Sequence, residues 1–145
     1  VVECDNIILD GNRHVLSESN NQAYGINLAG CKNVTITNFT ILGFTHGVFL
    51  SSSSYNKIVN NTLTGCRCYG IFLSQSSHNY LANNTVMNCT IEAINLDSSN
   101  YNTLIGNTVV NNFAGISLIF CTKKTLYDRT GLKGISIASE YVGCF

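Results

Sequence analysis

Apolar and polar residues alternate in short runs along the chain, as in Ile71-Phe72-Leu73 and Leu81-Ala82-Asn83-Asn84-Thr85-Val86. A period of two predicts strands, with Ile71 and Leu73 inward and Phe72 outward. No run carries the spacing of an amphipathic helix. The runs themselves recur. Gly25-Ile26-Asn27-Leu28, Gly47-Val48-Phe49-Leu50, Gly70-Ile71-Phe72-Leu73, Ala93-Ile94-Asn95-Leu96 and Gly115-Ile116-Ser117-Leu118 open five segments, spaced 22, 23, 23 and 22 residues apart. Gly134-Ile135-Ser136-Ile137 opens a sixth. At a fixed distance after the five openings stand Ile36, Ile58, Leu81, Leu104 and Leu126, and then Thr40, Thr62, Thr85, Thr108 and Thr130.

A period of 22–23 residues without a helical segment excludes a leucine-rich repeat. It predicts an all-β fold: a right-handed parallel β-helix, or solenoid, of about six coils filling residues 1–145 as one domain. Equivalent residues then stack ~4.8 Å apart in ladders. Gly25, Gly47, Gly70 and Gly115 would admit a bend where a side chain clashes or φ is positive. The asparagines recur in phase: Asn60 with Asn83; Asn61 with Asn84 and Asn107; Asn56 with Asn79 and Asn102. Asn suits turns because it tolerates left-handed backbone, and stacked amides can bond to one another. Ser51–Ser54 resembles a linker but aligns with 74–77 and 97–100, so it is a repeat turn.

Composition narrows the partners. Charged residues are 11% of the chain, against ~25% in an ordinary soluble domain. Eight basic residues balance eight acidic ones, which excludes a nucleic-acid binder held by phosphate contacts. No apolar run approaches the ~18–20 residues of a membrane span. Val1-Val2 is not followed by the charged and apolar segments of an export signal, so a mature or excised piece of a longer protein is expected. Pro is absent, as a ladder that donates to neighbours on both sides requires.

Asn60-Asn61-Thr62-Leu63, Asn83-Asn84-Thr85-Val86 and Asn107-Thr108-Val109, each followed by the Gly-Ile-x-Leu opening (Ala-Ile-x-Leu at Ala93), resemble NosD-type parallel β-helices. These belong to the wider carbohydrate-binding and sugar-hydrolase (CASH) repeat group. Cys4-Asp5-Asn6-Ile7-Ile8-Leu9, which parallels Cys31-Lys32-Asn33-Val34-Thr35-Ile36, extends the likeness over nearly the whole chain. The resemblance implies copper-protein maturation for one kind of member and polysaccharide binding or cleavage for others. It also implies an extracellular, cell-surface or periplasmic location.

The candidate chemistry lies in ladders. Glu3, Asp5, Asp10, Glu18, Glu92, Asp97, Asp128 and Glu140 supply no pair in catalytic register, and Glu92 and Asp97 are expected to point to different places. No catalytic residue is therefore assigned. Tyr55, His78 and Tyr101 share one phase with Asn33 and Lys123, and Tyr24, His46, Tyr69 and Glu92 share another. Such columns could hold a polysaccharide or cell-surface glycan by stacking and hydrogen bonding. Packing of the rings on their neighbours is the competing explanation. Cys66, Cys68, Cys89 and His46 are an alternative copper set, with His46 counted in the phase of Cys68. The competing explanation there is core packing. The seven cysteines cannot all pair within one chain, and Cys4/Cys31 and Cys66/Cys89 are candidate disulfides. Sequons stand at Asn33, Asn38, Asn60, Asn83 and Asn88. Exposed coil ends call for capping by flanking domains or a partner chain. The leading expectation is a non-catalytic glycan- or surface-binding module. The alternatives are a NosD-type copper accessory and the repeat portion of a polysaccharide lyase or hydrolase.

Overall fold

A computed structural model of the chain describes residues 1–2, 5–18 and 23–121, and the backbone of a strand at 124–127. The sixth opening at Gly134, the candidate disulfide residue Cys4, and Glu3, Lys123, Asp128, Thr130 and Glu140 lie outside the described residues.

Each coil contributes three strands. The first supplies β1 (Ile8–Asp10), β2 (Val15–Ser17) and β3 (Tyr24–Ala29), and the second β4 (Thr35–Thr37), β5 (Thr40–Leu42) and β6 (His46–Ser51). Next come β7 (Lys57–Val59), β8 (Thr62–Thr64) and β9 (Tyr69–Ser74), then β10 (Tyr80–Ala82), β11 (Thr85–Met87) and β12 (Glu92–Asp97). The fifth coil holds β13 (Asn102–Ile105), β14 (Thr108–Val110) and β15 (Ala114–Ile119), and β16 (Lys124–Tyr127) begins another. Strands three apart pair in parallel, giving the sheets β1-β4-β7-β10-β13-β16, β2-β5-β8-β11-β14 and β3-β6-β9-β12-β15. The described residues thus form a parallel β-solenoid of about five turns, with no helix.

Inward residues stack as the alternation requires. Leu9, Ile36, Ile58, Leu81 and Leu104 share one register, and Leu16, Ile41, Leu63, Val86 and Val109 another. With Val48, Leu50, Ile71, Leu73, Ile94 and Leu96 they form one continuous core. At Gly70 the close approach decides the residue. An added Cβ would stand 2.2 Å from Val86 Cγ1 and 2.7 Å from the Ala93 carbonyl, whereas its φ is not positive.

Most corners follow a single rule. At the corners the strand ladder is interrupted, and outside the corners of Phe44 and Cys66 a polar side chain from the next coil fills the gap. Asn79 Oδ1 accepts the Asn56 N–H at 2.9 Å while its Nδ2 donates to the Ser53 carbonyl at 3.0 Å. Asn84 does the same for the Asn61 N–H at 3.1 Å and the Ile58 carbonyl at 2.8 Å. Asn56, Asn61, Asn102, Asn107 and Asn112 repeat the arrangement. Ser53, Ser76 and Ser99 perform it with one hydroxyl, taking the N–H of Cys31, Ser53 and Ser76 and donating to Leu28, Leu50 and Leu73.

Each plug spans an arch of four residues, from a carbonyl to the N–H three positions later. The residue just before that N–H is left-handed: Asn33, Asn38, Tyr55, Asn60, His78, Asn83 and Asn88 have φ of 54–61°. The doublets Asn60-Asn61 and Asn83-Asn84 therefore divide two jobs. The first Asn bends the arch, and the second plugs the arch of the coil before. The five sequons have the same origin: each of their asparagines is a left-handed arch residue, and four of their threonines (Thr35, Thr40, Thr62 and Thr85) open a strand.

Removing a plug should cost far more than removing a bend. Asn84→Ala leaves the buried Asn61 N–H unpaired and removes a donor from the Ile58 carbonyl, and should lower unfolding free energy by about 2–3 kcal/mol. The exposed Asn83→Ala should cost only the left-handed strain, about 1 kcal/mol. Urea titration of both variants checks the difference.

Candidate functional site

The outer face of the β3-β6-β9-β12-β15 sheet carries a cluster of five packed rings. Its register aligns Tyr24, His46, Tyr69 and Glu92 in one column. Asn27, Phe49, Phe72, Asn95 and Ser117 form the next. Rings stack within columns, with Tyr24–His46 centroids 5.4 Å apart, His46–Tyr69 5.3 Å and Phe49–Phe72 5.0 Å. They also meet across columns, Tyr24–Phe49 and Tyr69–Phe72 each at 4.9 Å. Tyr24, His46, Tyr69 and Glu92 are thus not a free-standing exposed column, because His46, Tyr69 and Glu92 are half-buried. Phe49 and Phe72 complete the surface. Their alternation with buried neighbours marked them as outward, but they were not assigned to a site.

Polar groups share this face. Glu92 accepts a hydrogen bond from Asn95 Nδ2, and Asp97 accepts one from the Ser98 hydroxyl at 2.9 Å. Glu92 and Asp97 stand at the two ends of β12. Both lie on the outer side of β12, and after burial, the largest cause, both carboxylates help hold the Tyr69 phenol above its ordinary pKa. Burial lowers the pKa of His46. Among the described residues, four buried polar atoms have no hydrogen-bond partner: Asn27 Oδ1, His46 Nδ1, Asn95 Oδ1 and Ser117 Oγ. All four side chains belong to the two columns of this face.

Tyr55, His78 and Tyr101 form a second column at the corner that follows the sheet. Their rings are nearly parallel, 4.9 and 4.8 Å apart with interplanar angles of 10° and 6°. Each is the left-handed residue of an arch, with φ of 61°, 59° and 55°. Asn33 fills the same place in the preceding coil and bonds to Asn6 at 3.1 Å. The stack covers both faces of His78, so the column offers a ligand mainly ring edges and polar tips.

A family model described as periplasmic copper-binding protein (NosD) matches residues 1–129. The chain belongs to the NosD family. No curated protein and no solved structure matches it.

For this NosD-family chain, copper must be tested against the donors present. Cys66 and Cys89 occupy equivalent corners of adjacent coils, both buried in the core. Their mutual hydrogen bond, together with burial, pushes the Cys66 thiol up, so it stays protonated. His46 does not share the phase of Cys68. The register pairs it with Tyr69, and the Cys68 N–H meets the Thr45 carbonyl at 2.9 Å. The 23-residue spacing places its extra residue in that corner, so counting back by 22 from Cys68 lands one position off. No group of three His, Cys, Asp or Glu side chains able to hold a metal occurs among the described residues. This donor set does not fit a copper centre.

Cys31 and Cys121 have a simpler role. They sit in the ladder of Ser53, Ser76 and Ser99, and their thiols donate to carbonyls as those hydroxyls do, Cys31 to Val2 at 2.9 Å and Cys121 to Ile119 at 3.2 Å. Cys31, Cys66, Cys68, Cys89 and Cys121 are all free thiols. No helix of the described residues is long and apolar enough to cross a membrane.

Two measurements check this picture. Iodoacetamide should label Cys68 in the native protein and spare the buried Cys31, Cys66, Cys89 and Cys121 until denaturant is added. Peptide mass spectrometry reads the pattern, and equal native labelling of Cys66 and Cys68 contradicts it. His46 has a folded pKa below its unfolded value, so the unfolded chain takes up the proton first on acidification. Its contribution is complete above about pH 6.5 and is lost as pH falls towards the folded pKa. His46→Tyr, which matches Tyr24 and Tyr69 in the column, should therefore flatten the decline in stability below that pH. Chemical denaturation across a pH series measures it.

Proposed function

We propose that the chain is a non-catalytic recognition module of the periplasm or cell exterior. It holds a glycan against the outer face of β3-β6-β9-β12-β15, bordered by Tyr55, His78 and Tyr101. The observation that carries this reading is where the unpartnered polar atoms lie. A buried unpaired polar atom costs about 1–3 kcal/mol, and here such atoms sit beside five aromatic rings on one face. Hydroxyl-rich ligands supply what both kinds of group lack: donors and acceptors for the polar atoms and C–H surface for the rings. Tyr55, His78 and Tyr101 support it from another direction. Aromatic residues in left-handed backbone cost roughly 1 kcal/mol each relative to Asn, so the arch alone does not call for them.

A second reading follows the family description, in which the chain serves a copper-related process. The family match over residues 1–129 is what favours it.

Glycan-array screening separates the readings. Phe49→Asn/Phe72→Asn introduces the residue already present at Asn27 and Asn95, so it should fold and lose at least about tenfold in affinity, or roughly 1.4 kcal/mol. Tyr55→Asn/His78→Asn/Tyr101→Asn should keep or raise stability and weaken binding less. A wild-type protein that retains no glycan contradicts the proposal. Stoichiometric copper(I) uptake that is lost in Cys66→Ser would favour the second reading.

A further inference from the structure

The aromatic stack on the outer face ends abruptly. Tyr69 and Phe72 are its last rings, and the next coil places Glu92 and Asn95 above them. The coil after that places Ser117 above Asn95. At this end every free valence can accept a hydrogen bond. Glu92 and Asp97 are carboxylates, and no described cation pairs with either. Asn95 gives its amide nitrogen to Glu92, which leaves Oδ1 without a donor and beneath the surface, the residue being only 2% exposed. Ser117 is 1% exposed, and its hydroxyl has no partner. Carboxylate and amide oxygens can only accept here, so the complement is a group that only donates.

We propose that the Glu92–Asp97 end of this face takes the protonated amine of an amino sugar within a glycan chain. The proposal rests on the glycan reading above and specifies the ligand's charge. An ammonium group offers three donors and no acceptor, and can meet Glu92, Asn95 Oδ1 and Ser117 Oγ together. A neutral hydroxyl satisfies the same atoms one at a time and gains nothing from the two charges. The adjacent rings of Tyr69 and Phe72 favour a cation further, since aromatic faces carry negative quadrupole density. A sugar is favoured over a lysine side chain by what lies alongside. Two ring columns continue from Tyr69 and Phe72 through His46 and Phe49, which gives room for further sugar units in register with the amine.

The test compares a glucosamine hexamer, an N-acetylglucosamine hexamer and hexalysine by calorimetry in mildly acidic buffer, where the free amines are charged. The glucosamine hexamer should bind at least about tenfold more tightly than its acetylated counterpart, a difference of roughly 1.4 kcal/mol. Raised salt should shrink the preference, as should Asp97→Asn. Glu92→Gln, which can still accept from Asn95, should abolish it without lowering the melting temperature. Equal affinity for the two sugars overturns the amine site and leaves the glycan reading standing. A preference that survives Glu92→Gln also overturns it. Hexalysine binding as tightly as the glucosamine hexamer overturns the assignment to a sugar. Failure of every array glycan as well as both hexamers removes the underlying reading too.

Discussion

Backbone hydrogen bonding at the corners governs this molecule. Strands pass their N–H and C=O groups to neighbouring coils without help, but the chain turns several times in each circuit and the ladder breaks there. Left unfilled, each buried arch would forfeit two hydrogen bonds. Asn is the side chain that accepts and donates from one short stem, and Ser does the same with a single oxygen. Seven of the 20 asparagines meet that requirement: Asn56, Asn61, Asn79, Asn84, Asn102, Asn107 and Asn112. Stacking also accounts for the low charge, because an ionised group repeated once per coil would meet its own kind above and below.

Periodicity made most of this legible in the sequence. Ile36, Ile58 and Leu81 fall in step because the core needs one aliphatic per circuit, and stacking multiplies any such need into a count. The asparagine doublets were readable as turns. Their division of labour was not, because Asn60 and Asn61 look alike until one is seen bending its own coil and the other serving its neighbour. The serine ladder that contains Cys31 and Cys121 was also present in the spacing, but cysteine draws attention to metals and disulfides before it suggests a substitute for Ser. Where coil length varies, counting fails. The His46–Cys68 alignment went wrong at the corner that absorbs the twenty-third residue.

The outer face departs from the rest of the structure. Elsewhere a polar side chain that loses water finds a carbonyl or an amide of the adjacent coil. On the β3-β6-β9-β12-β15 face, Asn27, Asn95 and Ser117 occupy positions whose other members are Phe49 and Phe72. The column therefore changes character along its length, from ring to amide to hydroxyl. Structural repetition alone favours uniform ladders like those of the corners. A column that varies while the inward columns beside it stay aliphatic is under some other demand. Alternation could flag Phe72 as outward, but the missing partners of Asn95 and Ser117 are visible only once the coils are stacked.

The plugs also all point the same way. Asn79 serves the coil of Asn56 and Asn102 serves that of Asn79, whereas the side chains that accept from a following coil, Asp5 from the Lys32 N–H and Ser77 from the Asn100 N–H, are not among the buried plugs. The solenoid therefore has a polarity that its near-identical coils conceal. Each circuit is left with open arches until its successor lies down on it. A chain that emerges amino end first is thus completed in the order of its emergence, every coil waiting on the one behind. Unravelling from the carboxyl end reverses that order, and each coil withdrawn unseals the one before it.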